Sequence, residues 1–182
     1  PQFGTPHRIV TGDIVSYGYD GRANVFFTVT PSAKARTAVL RAEADWLVCQ
    51  ESCVPARQSL ALKVPVGKTA IKGTDFAKDW AKLPRAPSGM TLAAWPTATG
   101  YGLRLEGART VVKPESAYFF SSDAGVLNHG VPQTFRQSTD ALEADLAKSP
   151  YATGSAKRLR GVLVLYEGGP ALLVDVPVSK TE

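Results

Sequence analysis

Methionine, histidine and cysteine are all scarce in this chain: one methionine, two histidines and two cysteines in 182 residues. A lone methionine excludes a methionine-rich copper site, and His7 and His129 lie far in sequence from the cysteines, so a metal centre is short of ligands. No apolar run approaches the ~20 residues of a membrane-spanning helix. No signal peptide stands at the start; the chain opens abruptly at Pro1-Gln2-Phe3-Gly4, as expected of a processed or truncated piece. A Ser/His/Asp set, a phosphate-cradling glycine loop and a paired-carboxylate signature are missing too, and Gly168-Gly169 reads as a hairpin turn. These absences leave no small-molecule substrate or cofactor to expect.

What is there is ordinary for a globular protein: 44% hydrophobic and 20% charged residues. Net charge is +5 with a pI near 9.3, but the basic residues are scattered. Their one cluster, Lys157-Arg158-Arg160, lacks the interleaved aromatics of a nucleic-acid surface and reads as a solvated strand end. The charge bears on solubility and on steering of encounters.

The chain reads as mainly β. Ile14–Tyr19 and Ala23–Thr30 are two strands joined by the Asp20-Gly21 turn. Thr37–Val48 is a third strand and Leu60–Val66 a fourth, with Pro65 suiting an edge or a terminus. Thr74–Leu83 carries Phe76, Trp80 and Leu83 at helical spacing, with Thr74 as N-cap and Pro84 as stop. Beyond it, Met90–Trp95, Gly102–Leu105 and Ala117–Phe120 are short strands, and Leu159–Tyr166 with Ala171–Val178 forms a hairpin. Asp140–Lys148 has helical composition, yet Leu142, Ala144 and Leu146 alternate; a strand is expected there. The expected organisation is a redox-active sandwich domain over 1–68, a helical linker over 69–88 and a second β-sandwich-like domain over 89–182. A seven-strand sandwich needs about 100 residues, so the first domain reads as lacking its first strands, or as completed by another chain.

Both cysteines fall in Trp46-Leu47-Val48-Cys49-Gln50-Glu51-Ser52-Cys53-Val54-Pro55. In extended backbone their Cα atoms would be roughly 13 Å apart, while a disulfide needs about 4.4–6.8 Å. If they bond, the chain must turn at Gln50-Glu51-Ser52. That loop is polar and reachable, and closing so small a ring gains little entropy, which favours reactivity over stapling. Thiol–disulfide exchange needs a nucleophilic thiolate and a second cysteine to resolve the mixed disulfide. A passive disulfide and a two-thiolate metal site stay open beside it. No cation lies between the cysteines, Arg41 and Arg57 are the nearest in sequence, and Glu51 opposes thiolate formation.

Tyr17-Gly18-Tyr19, Thr30-Pro31, the cysteine motif and Leu60-Ala61-Leu62-Lys63-Val64-Pro65 together resemble the N-terminal periplasmic region of the DsbD family of thiol:disulfide interchange proteins. The likeness is closest to its ScsB branch (suppressor of copper sensitivity). Ala117-Tyr118-Phe119-Phe120, Asp123–His129, Val131-Pro132-Gln133 and Leu159–Leu163 extend it over most of the chain, although the cysteine spacing is shorter than in better-known relatives. The resemblance implies an immunoglobulin-like β-sandwich in the periplasm, within a larger inner-membrane protein. It implies an oxidoreductase whose Cys49–Cys53 pair passes electrons from a transmembrane donor domain to thioredoxin-fold proteins. Cys53 would bond to partners and Cys49 would resolve. Tyr17 and Tyr19 match the aromatic residues that shield the cysteines in relatives. Trp46 fits a core position better than a docking one, and Pro55 fixes the loop exit by its locked φ; both stand as further shielding or docking candidates. The rival is a non-enzymatic copper-binding or partner-docking sandwich with a passive disulfide.

Overall fold

Along the segment of ambiguous composition, Leu142, Ala144 and Leu146 are 1%, 3% and 2% exposed, while Glu143 and Asp145 point outward. Period-two burial is the mark of a strand, and here tertiary packing overrides helix propensity. The computed structural model describes residues 1–12, 14–49, 52–67, 74–107 and 112–179. It is mainly β, as expected, with a single α-helix among the described residues.

The elements run β1 (Gln2–Phe3), β2 (His7–Thr11), β3 (Ile14–Gly18), β4 (Val25–Phe26), β5 (Thr37–Cys49), β6 (Cys53–Pro65) and α1 (Thr74–Ala81). They continue with β7 (Thr91–Pro96), β8 (Gly100–Glu106), β9 (Tyr118–Ser121), β10 (Thr134–Gln137), β11 (Ala141–Ala147), β12 (Arg158–Val164) and β13 (Ala171–Pro177). The chain divides into two compact units, one of residues 27–74 and one of 1–26 with 75–182.

In the larger unit, sheet β10-β11-β8-β7 faces sheet β13-β12-β9, and every neighbouring pair is antiparallel. Register brings Leu142 opposite Leu105, Ala144 opposite Leu103 and Leu146 opposite Tyr101. These pairs meet Phe119, Leu159, Leu163, Leu172 and Val174 in one buried cluster. Each fully buried leucine contributes roughly 1.5–3 kcal/mol, so this sandwich holds most of the apolar driving force. Tyr101 is 1% exposed, and its hydroxyl accepts the Ala156 N–H at 2.8 Å. The expected hairpin of β12 and β13 pairs Val164 with Ala171 across the Glu167-Gly168-Gly169-Pro170 loop. At Gly161 a Cβ would stand 2.0 Å from the Phe120 carbonyl oxygen, so the close approach of β12 to β9 needs a residue without one.

One hairpin differs from expectation. Ile14–Gly18 pairs not with residues 23–30 but with His7–Thr11, behind Gly12 at φ 59°. Val25–Phe26 pairs with Gln2–Phe3 instead. The reason is tertiary: the Asn24 amide donates to the Asp79 carboxylate of α1, and Phe26 meets Trp80 edge-on with centroids 5.2 Å apart. Those anchors draw residues 24–26 to the helix and away from β3. Strands β1, β2 and β10 carry no clear alternation and were not expected. The boundary break at Lys68 lies outside the described residues, as does the Thr74 side chain that would cap α1.

Candidate functional site

The smaller unit is built on a ribbon of two strands, β5 and β6, each of 13 residues. Its register runs from Thr37 opposite Pro65 to Cys49 opposite Cys53. The two cysteines form a disulfide on the last rung, with Cα atoms 4.1 Å apart. Gln50 and Glu51 of the expected turn lie outside the described residues, but that rung satisfies the reversal the bond requires.

Opposed residues of an antiparallel pair alternate between hydrogen-bonded rungs, with Cα atoms about 5.5 Å apart, and non-hydrogen-bonded rungs at about 4.5 Å. The cysteine rung is of the narrow kind. The Val66 N–H donates to the Arg36 carbonyl at 2.9 Å, which makes the adjoining even-numbered rung a hydrogen-bonded one and agrees with that assignment. Pro55 and Pro65 both sit at odd positions, where the ladder asks for no inward N–H. Three observations therefore concur. The backbone groups of Cys49, Leu47, Asp45 and Glu43, and of Cys53, Pro55, Arg57 and Ser59, face the ribbon's outer edges.

Alternation also sorts the side chains. On the disulfide's face the next rung is Leu47 with Pro55, and the one after it is Asp45 with Arg57, whose side chains form an ion pair. The opposite face carries Trp46, Val48, Val54, Leu60 and Leu62. Cys49, Cys53 and Pro55 are exposed, and Leu47 is 63% exposed. Exposure of the sulfur-bearing residues permits attack by another molecule's thiolate, and Arg57 has its nearest anion in Asp45.

The other expected site residues are placed as follows. Pro55 stands directly beside the disulfide rung on the same face. Trp46, expected in a core, is 46% exposed on the opposite face, because a two-stranded ribbon has no second layer of its own to receive it. Tyr17 and Tyr19 belong to the larger unit. The Tyr17 hydroxyl bonds to His129 Nδ1 and lies 3.3 Å from the Tyr118 hydroxyl, with its ring edge-on to Phe120. Burial, then the bond to Tyr118, pushes Tyr17 far above the usual phenol range. His129 is lowered by burial. Tyr19 donates to the Gly4 carbonyl at 3.0 Å and is raised by burial. The other histidine, His7, accepts the Asp20 N–H at Nε2, 3.1 Å away. Among the described residues no group of three or more His, Cys, Asp or Glu is placed to hold a metal ion.

Sequence reasoning missed the Leu47/Pro55 rung and the Asp45–Arg57 pair. Counting back in twos from Cys49 and forward in twos from Cys53 would have found both. No protein-family model matches the chain, and no curated protein or solved structure matches it.

Proposed function

We propose that this chain exchanges thiols and disulfides with other proteins through Cys49–Cys53, as a periplasmic relay between a transmembrane electron-donor domain and thioredoxin-fold acceptors. The observation that carries the reading is the position of the bond: on the last rung of a ribbon, with both cysteines exposed. A bond closing so few residues removes little entropy from the unfolded chain, so a stapling role explains it poorly. Reactivity explains both its place and its access.

The chemistry balances with these two residues alone. A donor's thiolate attacks one sulfur and expels the other as a thiolate. The donor's second thiolate then attacks its own bonded sulfur and releases the first cysteine, so two electrons reach the pair and the donor leaves oxidised. Facing an acceptor disulfide, the reduced pair runs the same steps in reverse. The resemblance gives Cys53 as the partner-bonding residue; exposure alone does not rank the two.

Equilibration with glutathione and with dithiothreitol buffers measures the potential. A relay lies in the range of about −120 to −270 mV spanned by thiol–disulfide oxidoreductases, whereas a potential below about −300 mV marks an inert bond and leaves the passive-disulfide reading in its place. Trapping completes the test. With Cys49→Ala or Cys53→Ala, a mixed disulfide with a thioredoxin-fold partner is expected for the variant that retains the attacking sulfur, and its absence from both sinks the proposal.

A further inference from the structure

The bond between Cys49 and Cys53 crosses the ribbon from β5 to β6, and that direction limits how another sulfur reaches it. A thiolate attacks in line with the bond it breaks. Attack on the Cys49 sulfur therefore comes in over the outer edge of β5, and attack on the Cys53 sulfur over the outer edge of β6. Among the described residues neither edge is paired with a strand.

The two edges are chemically unlike. Along β5 the outward positions Cys49, Leu47, Asp45, Glu43 and Arg41 each carry an N–H and a carbonyl, with no proline from Thr37 to Cys49. Along β6 the outward position next to the cysteine is Pro55, which has no N–H to offer. Proline at such a place blunts an edge against strand addition. A strand can thus register beside the disulfide on β5 and not on β6.

Distance supports the same side. Because Cys49 turns its backbone groups outward, a strand added to β5 forms a hydrogen-bonded rung with it, at a Cα separation of about 5.5 Å. That value falls within the roughly 4.4–6.8 Å a disulfide spans. A cysteine opposite Cys49 in the added strand is at mixed-disulfide distance without backbone movement.

We infer that the redox partner binds as an extended, cysteine-bearing segment added to the outer edge of β5, and that exchange enters at Cys49. Backbone hydrogen bonds supply the affinity, as in other strand-addition interfaces, and the exposed Leu47 and the Asp45–Arg57 pair face the side chains of the incoming segment. The partner's thiolate bonds to the Cys49 sulfur, the Cys49–Cys53 bond breaks, and Cys53 leaves as the thiolate. This inference rests on the relay reading and departs from the order of attack that the resemblance implies.

The test uses the whole oxidised chain and a short peptide of alternating threonine and valine with one central cysteine. A second copy of the peptide is N-methylated two residues to either side of that cysteine, where the backbone N–H groups point toward β5. The expected results are a mixed disulfide located at Cys49 by peptide mapping, and a rate about tenfold lower for the N-methylated peptide, as the loss of one to two backbone hydrogen bonds implies. Leu47→Pro should slow the unmethylated peptide similarly and the N-methylated peptide far less. A mixed disulfide at Cys53, or equal rates for the two peptides, overturns strand addition at β5 and leaves the relay standing. A pair unreactive toward glutathione and toward both peptides removes the relay reading itself, and this inference with it.

Discussion

Gln133 makes both backbone hydrogen bonds of Phe119 with its side chain: the Phe119 N–H donates to Oε1 at 2.8 Å, and Nε2 donates to the Phe119 carbonyl at 2.8 Å. An amide presents one donor and one acceptor, as a peptide unit does, so Gln133 stands where a neighbouring strand would on the outer edge of β9. That edge closes the three-stranded sheet and would otherwise offer a template for pairing. Gln133→Leu keeps the bulk and deletes both bonds. With Phe119 itself fully buried, the change is expected to destabilise the sandwich by about 1–3 kcal/mol, read as a lower urea midpoint. An unchanged midpoint would show that water replaces the amide at no cost.

Protons couple to stability at the Tyr17–His129 contact. Burial lowers His129 in the folded state below its ordinary value near 6.5, so the unfolded chain binds the proton more readily. The contribution from keeping His129 neutral is fully present above about pH 6.5 and is lost as pH falls through the lower folded value. Tyr17 is raised, so the folded state keeps its proton longer, and stability declines as pH rises above about 10. Thermal melts from pH 4 to 11 should show both limbs. His129→Gln should flatten the acid limb and Tyr17→Phe the alkaline one. Tyr17→Phe is also expected to cost about 0.5–1.5 kcal/mol at neutral pH from the lost hydroxyl bond.

Removing the disulfide separates the two units experimentally. In Cys49→Ala/Cys53→Ala the sandwich unit should melt as in the parent, because neither cysteine belongs to it. Amide hydrogens of β5 and β6 should exchange faster, since an isolated two-stranded hairpin is marginally stable in water. Exchange measured by mass spectrometry resolves the two responses. Equal loss of protection in both units would show that they unfold together.

Gly161→Ala tests the packing of β12 against β9. The new methyl meets the Phe120 carbonyl oxygen, a backbone atom that cannot move aside without disturbing the Gly161–Ser121 rung. A loss of about 1–3 kcal/mol is expected, visible as a lower midpoint with an unchanged dependence on urea concentration. Full parental stability would mean that the two strands separate there without penalty.

How much of this was readable beforehand depends on where the information sits. The Leu142-Glu143-Ala144-Asp145-Leu146 alternation declares both the strand and its buried face, because burial on one side is a local pattern. The β12–β13 hairpin is similarly local, with its turn residues between two apolar runs. The pairing of β2 with β3 was hidden, since it depends on the left-handed Gly12 and on Asn24 and Phe26 being held by Asp79 and Trp80, contacts more than 50 residues away in sequence. At the candidate site, the cysteine spacing predicted a reversal, and the rung exists. The exposure of Trp46 was not predictable, because an apolar residue in a strand announces burial but not whether a second layer is there to supply it.

The two prolines of β6 have a further consequence for the history of the ribbon. Shifting β6 by a single residue would bring Pro55 and Pro65 into positions that must donate a hydrogen bond, turn every side chain of that strand to the other face, and part the two sulfurs. A single-residue insertion or deletion within β6 therefore has to be taken up locally as a bulge if the register beyond it is to survive. A molecule that has slipped cannot bring the two sulfurs within bonding reach, so the disulfide itself reports that the ribbon has assembled in register.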